Sequence, residues 1–163
     1  RVTNTRTSYP ANVIYRPEQV AARYWQVEID DTANADGYVQ IGRLFLGAAW
    51  QPLVNYDYGW SLGFESDTTV EKALGGQEYF DRRTGRRVFR CQLSWLNEQE
   101  AYERAWEIQR QLGYDGEVFV MAEPGKTLYE NRLAFLARLR QLTPIENPYY
   151  AYHRQSFEIA ELL

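Results

Sequence analysis

The 163 residues suffice for one ordinary domain or two very small ones, with a substantial buried core. Hydrophobic residues at 45% and charged residues at 25% match globular averages, which excludes a disordered chain or a fibre. A net charge of −4 argues against a nucleic-acid binder, and no apolar run nears the roughly 20 residues that span a bilayer.

The opening RVTNTRTSYPAN has neither a signal-type apolar core nor a methionine, so Arg1 is expected to be an internal position of a longer protein. Residues 7–22 carry two prolines and read as irregular. In residues 22–30, Trp25, Val27 and Ile29 alternate with Tyr24, Gln26, Glu28 and Asp30, which predicts a half-buried strand. The cluster DDTANADG then predicts a turn, and YVQIGRLFLG a second strand whose aliphatic parity shifts near Gly42. Next, Tyr58, Trp60, Leu62 and Phe64 alternate with small or polar residues. The expectation is that these four lie side by side in a dry interior between two layers.

QEYFDRRTGRRVFRCQLSWL reads as a hairpin, with Tyr79 and Asp81 in the first arm and residues 88–96 in the second. Its tip would gather Arg82, Arg83, Arg86 and Arg87, either as a solvated turn or as a patch for a partner's carboxylates. Asn97 as N-cap with Glu100 three residues on opens a helix, carried by Ala101, Ala105, Ile108 and Leu112 and ended by Gly113. EVFVMA is a short strand. The run YENRLAFLARLRQL satisfies strand alternation and, in part, a helical face, and is read as a strand. The last piece, YYAYHRQSFEIAEL, is rich in Tyr, alternates Phe157 and Ile159 with Glu158 and Ala160, and closes the chain as a terminal strand.

The residues offer little for catalysis. His153 is the single histidine, no G-x-S-x-G elbow occurs, and Cys91 sits in an alternating run as a small core residue. One His and one Cys cannot supply a zinc site. Asp30, Asp31 and Asp36 share one turn without the spacing of a calcium loop, and nothing singles out a carboxylate pair from Glu28, Glu65 and Glu78. LGGQ is a turn and no phosphate loop. No catalytic residue, cofactor or metal is therefore named. A lone cysteine allows no intrachain disulfide, which fits a cytosolic origin. Of 18 basic residues only Lys72 and Lys126 are not arginine, and aromatics reach 15%. Arginine and aromatic rings favour interfaces, although a GC-rich genome also favours arginine and rings also fill β cores.

The stretch 22–52 resembles the closing strands of discoidin-type, galactose-binding-like β-sandwiches. Arg23-Tyr24-Trp25, Val27 and Ile29 match one strand of that pattern, and Ile41-Gly42 with Leu44 to Gly47 the next. With NYDYGWSLGF, GGQEYFDRRTGRR and SFEIAEL added, most of the chain resembles minor tail proteins of long-tailed bacteriophages and prophages, the distal-tail type included. Such proteins build tail tips from β-sandwich domains in rings or hubs. The resemblance implies a virion structural protein made in the bacterial host cytoplasm, with self-association into a ring and other tail proteins as partners. The sugar-binding loops of the galactose-binding-like family lie largely before the position of Arg23, so no sugar-binding residue is carried over.

The expected fold is mainly β, an antiparallel β-sandwich of about seven strands with one packed α-helix near residues 98–112. Residues 1–65 would close a galactose-binding-like sandwich and residues 66–163 form a β-rich tail domain, or the two are one continuous domain. Trp50, Tyr56, Arg82, Arg83, Arg86, Arg87, Tyr149, Tyr150 and Tyr152 are the interface candidates. The alternative is a carbohydrate-binding module using Trp50, Asn55, Tyr56 and Asp57 toward a host glycan.

Overall fold

Strands that place an apolar residue at every second position must bury one face, and from Ser61 onward the chain does so repeatedly. The computed structural model describes Glu18 and residues 20–162. In chain order come β1 (Ser61–Glu65), β2 (Thr69–Lys72), β3 (Glu78–Asp81) and β4 (Arg86–Leu96). A π-helical segment, Glu100–Trp106, continues as α1 (Glu107–Leu112). Then follow β5 (Glu117–Met121), a 3-10 turn (Thr127–Tyr129), α2 (Glu130–Leu133), β6 (Ala134–Gln141), β7 (Glu146–Tyr149) and β8 (Tyr152–Glu161). The fold is mainly β, with two antiparallel sheets and one packed helix, as the sequence pattern led us to expect.

The larger sheet has the order β1-β4-β8-β6-β5, with β7 added to β8. β4 and β8 form its spine, pairing Phe89 with Ile159 and Cys91 with Phe157 before a bulge between Leu93 and Leu96. On the inner face Phe89, Leu93, Phe157, Ile159, Phe135, Ala137 and Leu139 form the core. The helix covers β8 and β6. Its Ala101 and Ala105, four residues apart and wholly buried, let its backbone sit close to the sheet.

The helix starts and stops as its sequence dictates. Asn97 Oδ1 accepts from the Glu100 amide at 2.8 Å, and the Glu100 carboxylate accepts in return from the Asn97 amide at 3.4 Å. Gly113 ends it with a φ of 54°. At Gly116 a Cβ would stand 2.5 Å from the Leu112 backbone, so the chain can leave the helix this tightly only through glycine. The π-helical widening is not legible from the spacing of the apolar residues.

Several expectations are corrected. The strand predicted at 22–30 does not form, nor does the one at 38–47, and the first ladder among the described residues begins at Ser61. The turn between them exists: the Asn34 amide donates to Asp31 O at 3.1 Å, and Asn34 Nδ2 to Tyr38 O at 2.8 Å. Residues 7–17 and 19 of the predicted irregular segment lie outside the described residues.

The aromatic run also divides. Trp60 and Leu62 pack against the core, whereas Tyr58 is fully exposed and Phe64 is 74% exposed. Leu62 lies opposite Phe89 under the covered part of the sheet, while Phe64 lies opposite Arg87 at the open end of an edge strand. Alternation sets the face, and position along the strand sets the burial.

The predicted 77–96 hairpin is replaced by two pairings. β3 pairs with β2 in a separate exposed hairpin, and β4 pairs with β1 and β8. Arg86 and Arg87 therefore belong to β4 and leave the turn. The terminal strand and the strand read in 129–142 both form, the latter preceded by the short α2.

Candidate assembly surfaces

Four arginines in six residues suggested one basic tip, but β4 divides them. Arg82 and Arg83 are exposed, with Arg83 2.9 Å from Asp81. Arg86 is half-buried, 3.5 Å from Asp67. Arg87 is 3% exposed and no interface residue at all. Its amide and Nε both donate to Glu161 Oε2 at 2.9 Å, and Nη2 donates to Oε1. Nη1 donates to the carbonyls of Asn131 and Arg132 at 3.1 Å, and the guanidinium lies 4.6 Å over the Phe135 ring. A buried charge is tolerated only when paired and hydrogen-bonded in this manner. The partner carboxylate lies 74 positions away, so no local signal in the sequence reveals it.

Trp50 and Tyr56 lean inward. Both pack against the core, and Tyr56 Oη donates to Ala122 O at 2.6 Å. The Tyr56 ring stands edge-on to Trp60 at 5.6 Å and to Phe89 at 5.7 Å. Burial, with Glu123 and Cys91 nearby, pushes the phenol up to about 12. Asn55 is exposed, and its Oδ1 accepts from the Tyr56 amide. The Asp57 carboxylate accepts from Gln92 Nε2 at 3.1 Å and from Ser94 Oγ. Of this set, Trp50, Tyr56 and Asp57 are therefore turned largely to internal contacts, while Asn55 is exposed.

The tyrosine run gathers around a residue that the sequence reading left in a strand. Trp95 stacks on Tyr149 at 5.7 Å with planes 3° apart and meets Tyr152 edge-on at 5.6 Å. Tyr150, at the β7–β8 turn, is fully exposed. This cluster is an exposed aromatic patch at one end of the spine.

The other candidates lie on the outer face of the sheet and along residues 20–60. Arg90 bridges Glu65 and Glu158 at 2.8 and 2.9 Å, and Arg140 bridges the same two at 2.5 and 3.1 Å, closing a four-charge ring across the sheet. The Glu65 carboxyl sits below its ordinary range because Arg90 hydrogen-bonds its charged form, with Arg140 adding to the effect. The arm of residues 20–47 reaches β5 through the Arg43–Glu117 ion pair and through Phe45 stacked on Phe119 at 6.0 Å. Elsewhere it leaves Trp25, Val27, Ile29, Val39, Ile41, Leu44 and Leu46 about half exposed or more.

Among buried groups, Gln109 of α1 and Gln155 of β8 both donate to Thr143 O, at 3.0 and 3.1 Å, and so pin the β6–β7 connection to the helix and to the sheet. His153 is buried edge-on to Tyr102 at 5.1 Å. Burial pushes the Cys91 thiol up to about 12, so the reactive thiolate is suppressed. No cluster of three metal-ligating side chains occurs among the described residues, where no helix is long and apolar enough to cross a membrane. No protein-family model, curated protein or solved structure matches the chain.

Proposed function

We propose that this chain is a structural subunit of a larger assembly, of the kind that builds the tail tip of a long-tailed bacteriophage as a distal-tail or minor tail component. The observation that carries the reading is the arm. Over residues 24–46 it holds a row of large apolar side chains in water, at strand-like alternation and with its backbone in no ladder. A folded chain rarely leaves such a row uncovered, and a second protein surface is the usual cover. The sequence resemblance supplies the class of assembly, a tail in which copies of this chain meet one another and other tail proteins. The virion tail is then its location, after synthesis in the host cytoplasm. The carbohydrate-binding alternative has less support, because Tyr56 commits its ring and hydroxyl to internal contacts.

Light scattering on the purified chain tests the reading. The expected result is an oligomer, seen as rings or closed clusters by negative stain. W25S/V27S/I29S should reduce it to monomers with an unchanged circular dichroism spectrum, since the three positions lie outside the core. A native chain that stays monomeric at high micromolar concentration would remove the basis for the proposal.

A further inference from the structure

We propose that Asp36 is a site of spontaneous covalent modification, where the Asp36-Gly37 linkage rearranges to isoaspartate, and that the fold protects the other Asp-Gly pair of the chain, Asp115-Gly116. This chemistry is independent of any assembly.

The rearrangement begins when the amide nitrogen after the aspartate gives up its proton and attacks the side-chain carboxyl carbon. A C–N bond forms and a carboxyl oxygen leaves as water, closing a five-membered succinimide. The ring then takes up water at either carbonyl. Opening at one side restores aspartate, and opening at the other leaves the main chain running through the side-chain carbonyl, as isoaspartate. One water is lost and one regained, so no oxidant or other reactant is consumed. The step needs a small following residue, an amide that can release its proton and a backbone free to turn toward the carboxyl. Glycine meets the first need because it has no Cβ. Asp30 and Asp31 fail it, since Asp31 and Thr32 follow them.

The two Asp-Gly pairs differ in the other needs. Gly37 is exposed in its turn at a φ of 70°, and a Cβ placed there would meet nothing within 4 Å. Its amide donates to Asn34 O at 3.3 Å, longer than the roughly 2.9–3.0 Å of a well-formed backbone bond. Gly116, in contrast, is fixed against the end of α1. Its amide donates to Leu112 O at 2.7 Å, and a Cβ there would stand 2.5 Å from Leu112 Cα. A proton held that closely is hard to remove, and turning the nitrogen onto the Asp115 carboxyl would pull Gly116 off the helix. Asp115 is itself exposed, so accessibility of the carboxyl does not separate the two pairs; the hold on the following amide does. Isoaspartate at position 36 keeps its negative charge but adds a main-chain carbon inside the turn that the Asn34 Nδ2 to Tyr38 O bond spans at 2.8 Å.

The test is ageing of the purified chain for several weeks at neutral pH and physiological temperature, followed by peptide mapping. Trypsin delivers the two pairs in separate peptides, residues 24–43 and 111–126. Isoaspartate appears as a second chromatographic peak of unchanged mass, and electron-transfer fragmentation places it. The expected result is an isomer at Asp36 several-fold more abundant than any at Asp115, absent in D36E, with the difference closing when the chain is aged in urea. Equal isomer in both native peptides, none in residues 24–43, or a 24–43 isomer that D36E retains overturns the proposal. A difference that persists in urea overturns the protection by the fold, because sequence alone would then account for it.

Discussion

Arg87 illustrates how one residue can fasten elements that lie far apart in the chain. Its guanidinium joins the start of β4 to the end of β8 through Glu161 and to the α2 carbonyls through Nη1. The pair is nearly dry, with side-chain exposures of 4% and 9%. Removing one partner strands the other charge in the interior, which typically costs about 3–5 kcal/mol, whereas replacing both with apolar residues of similar volume is often neutral. R87A should therefore lower the urea midpoint strongly, and R87M/E161L should recover most of the loss. A small loss in R87A would mean that water reaches Glu161 and that the pair is not the fastener described. At the same scale, the sequence reading placed Arg87 with its three arginine neighbours because charge alone predicts exposure. What buries it is the distant Glu161, and single-sequence spacing carries no trace of that.

Individual elements were legible where local chemistry decides them. The Asn97–Glu100 box, the Gly113 stop and the alternation of β6 and β8 all form as their residues require. Pairing was less legible, since β3 had two acceptable neighbours and the turn RRTGR is compatible with either. The predicted strands at 22–30 and 38–47 show a different limit. Alternation states that a strand would be half-buried, but it cannot supply the layer that buries it. Here the described residues provide no such layer, and the segment joins no ladder and touches β5 through Arg43 and Phe45. That foothold should respond to pH. Arg43 hydrogen-bonds Glu117 and holds its carboxyl below the ordinary value of 4.5. A lowered folded value contributes favourably above 4.5, and the contribution disappears as pH falls through the lowered value. Glu117 should thus titrate below 4.5 by carboxyl-carbon NMR, and R43A should return it to the ordinary range. An unchanged midpoint in R43A would mean that the ion pair does not hold the arm.

For the whole molecule, the assembly reading raises the question of which force would bring copies together. A net charge of −4 makes two copies repel weakly, and at physiological ionic strength this is screened beyond about 8 Å. The four-charge ring on the outer face is internally neutral, with two arginines facing two glutamates, so it leaves little net charge to attract a neighbour. The Arg43–Glu117 pair is exposed and contributes little in water. The apolar row of the arm is the larger reservoir. Each side chain now half exposed stands to contribute on the order of 1 kcal/mol when the rest of it is covered. The row together is then comparable with the roughly 4–15 kcal/mol lost in joining two bodies. On the assembly reading, ion pairs would contribute little to joining copies and the apolar row would supply the attraction. The two respond oppositely to salt, because sodium chloride screens charges while sulfate strengthens apolar burial. Sedimentation of the oligomer should therefore be little changed in molar sodium chloride and shift to larger species in ammonium sulfate. Dissolution into monomers by sodium chloride alone would place the attraction in the ion pairs and leave the exposed row of the arm without the role assigned to it.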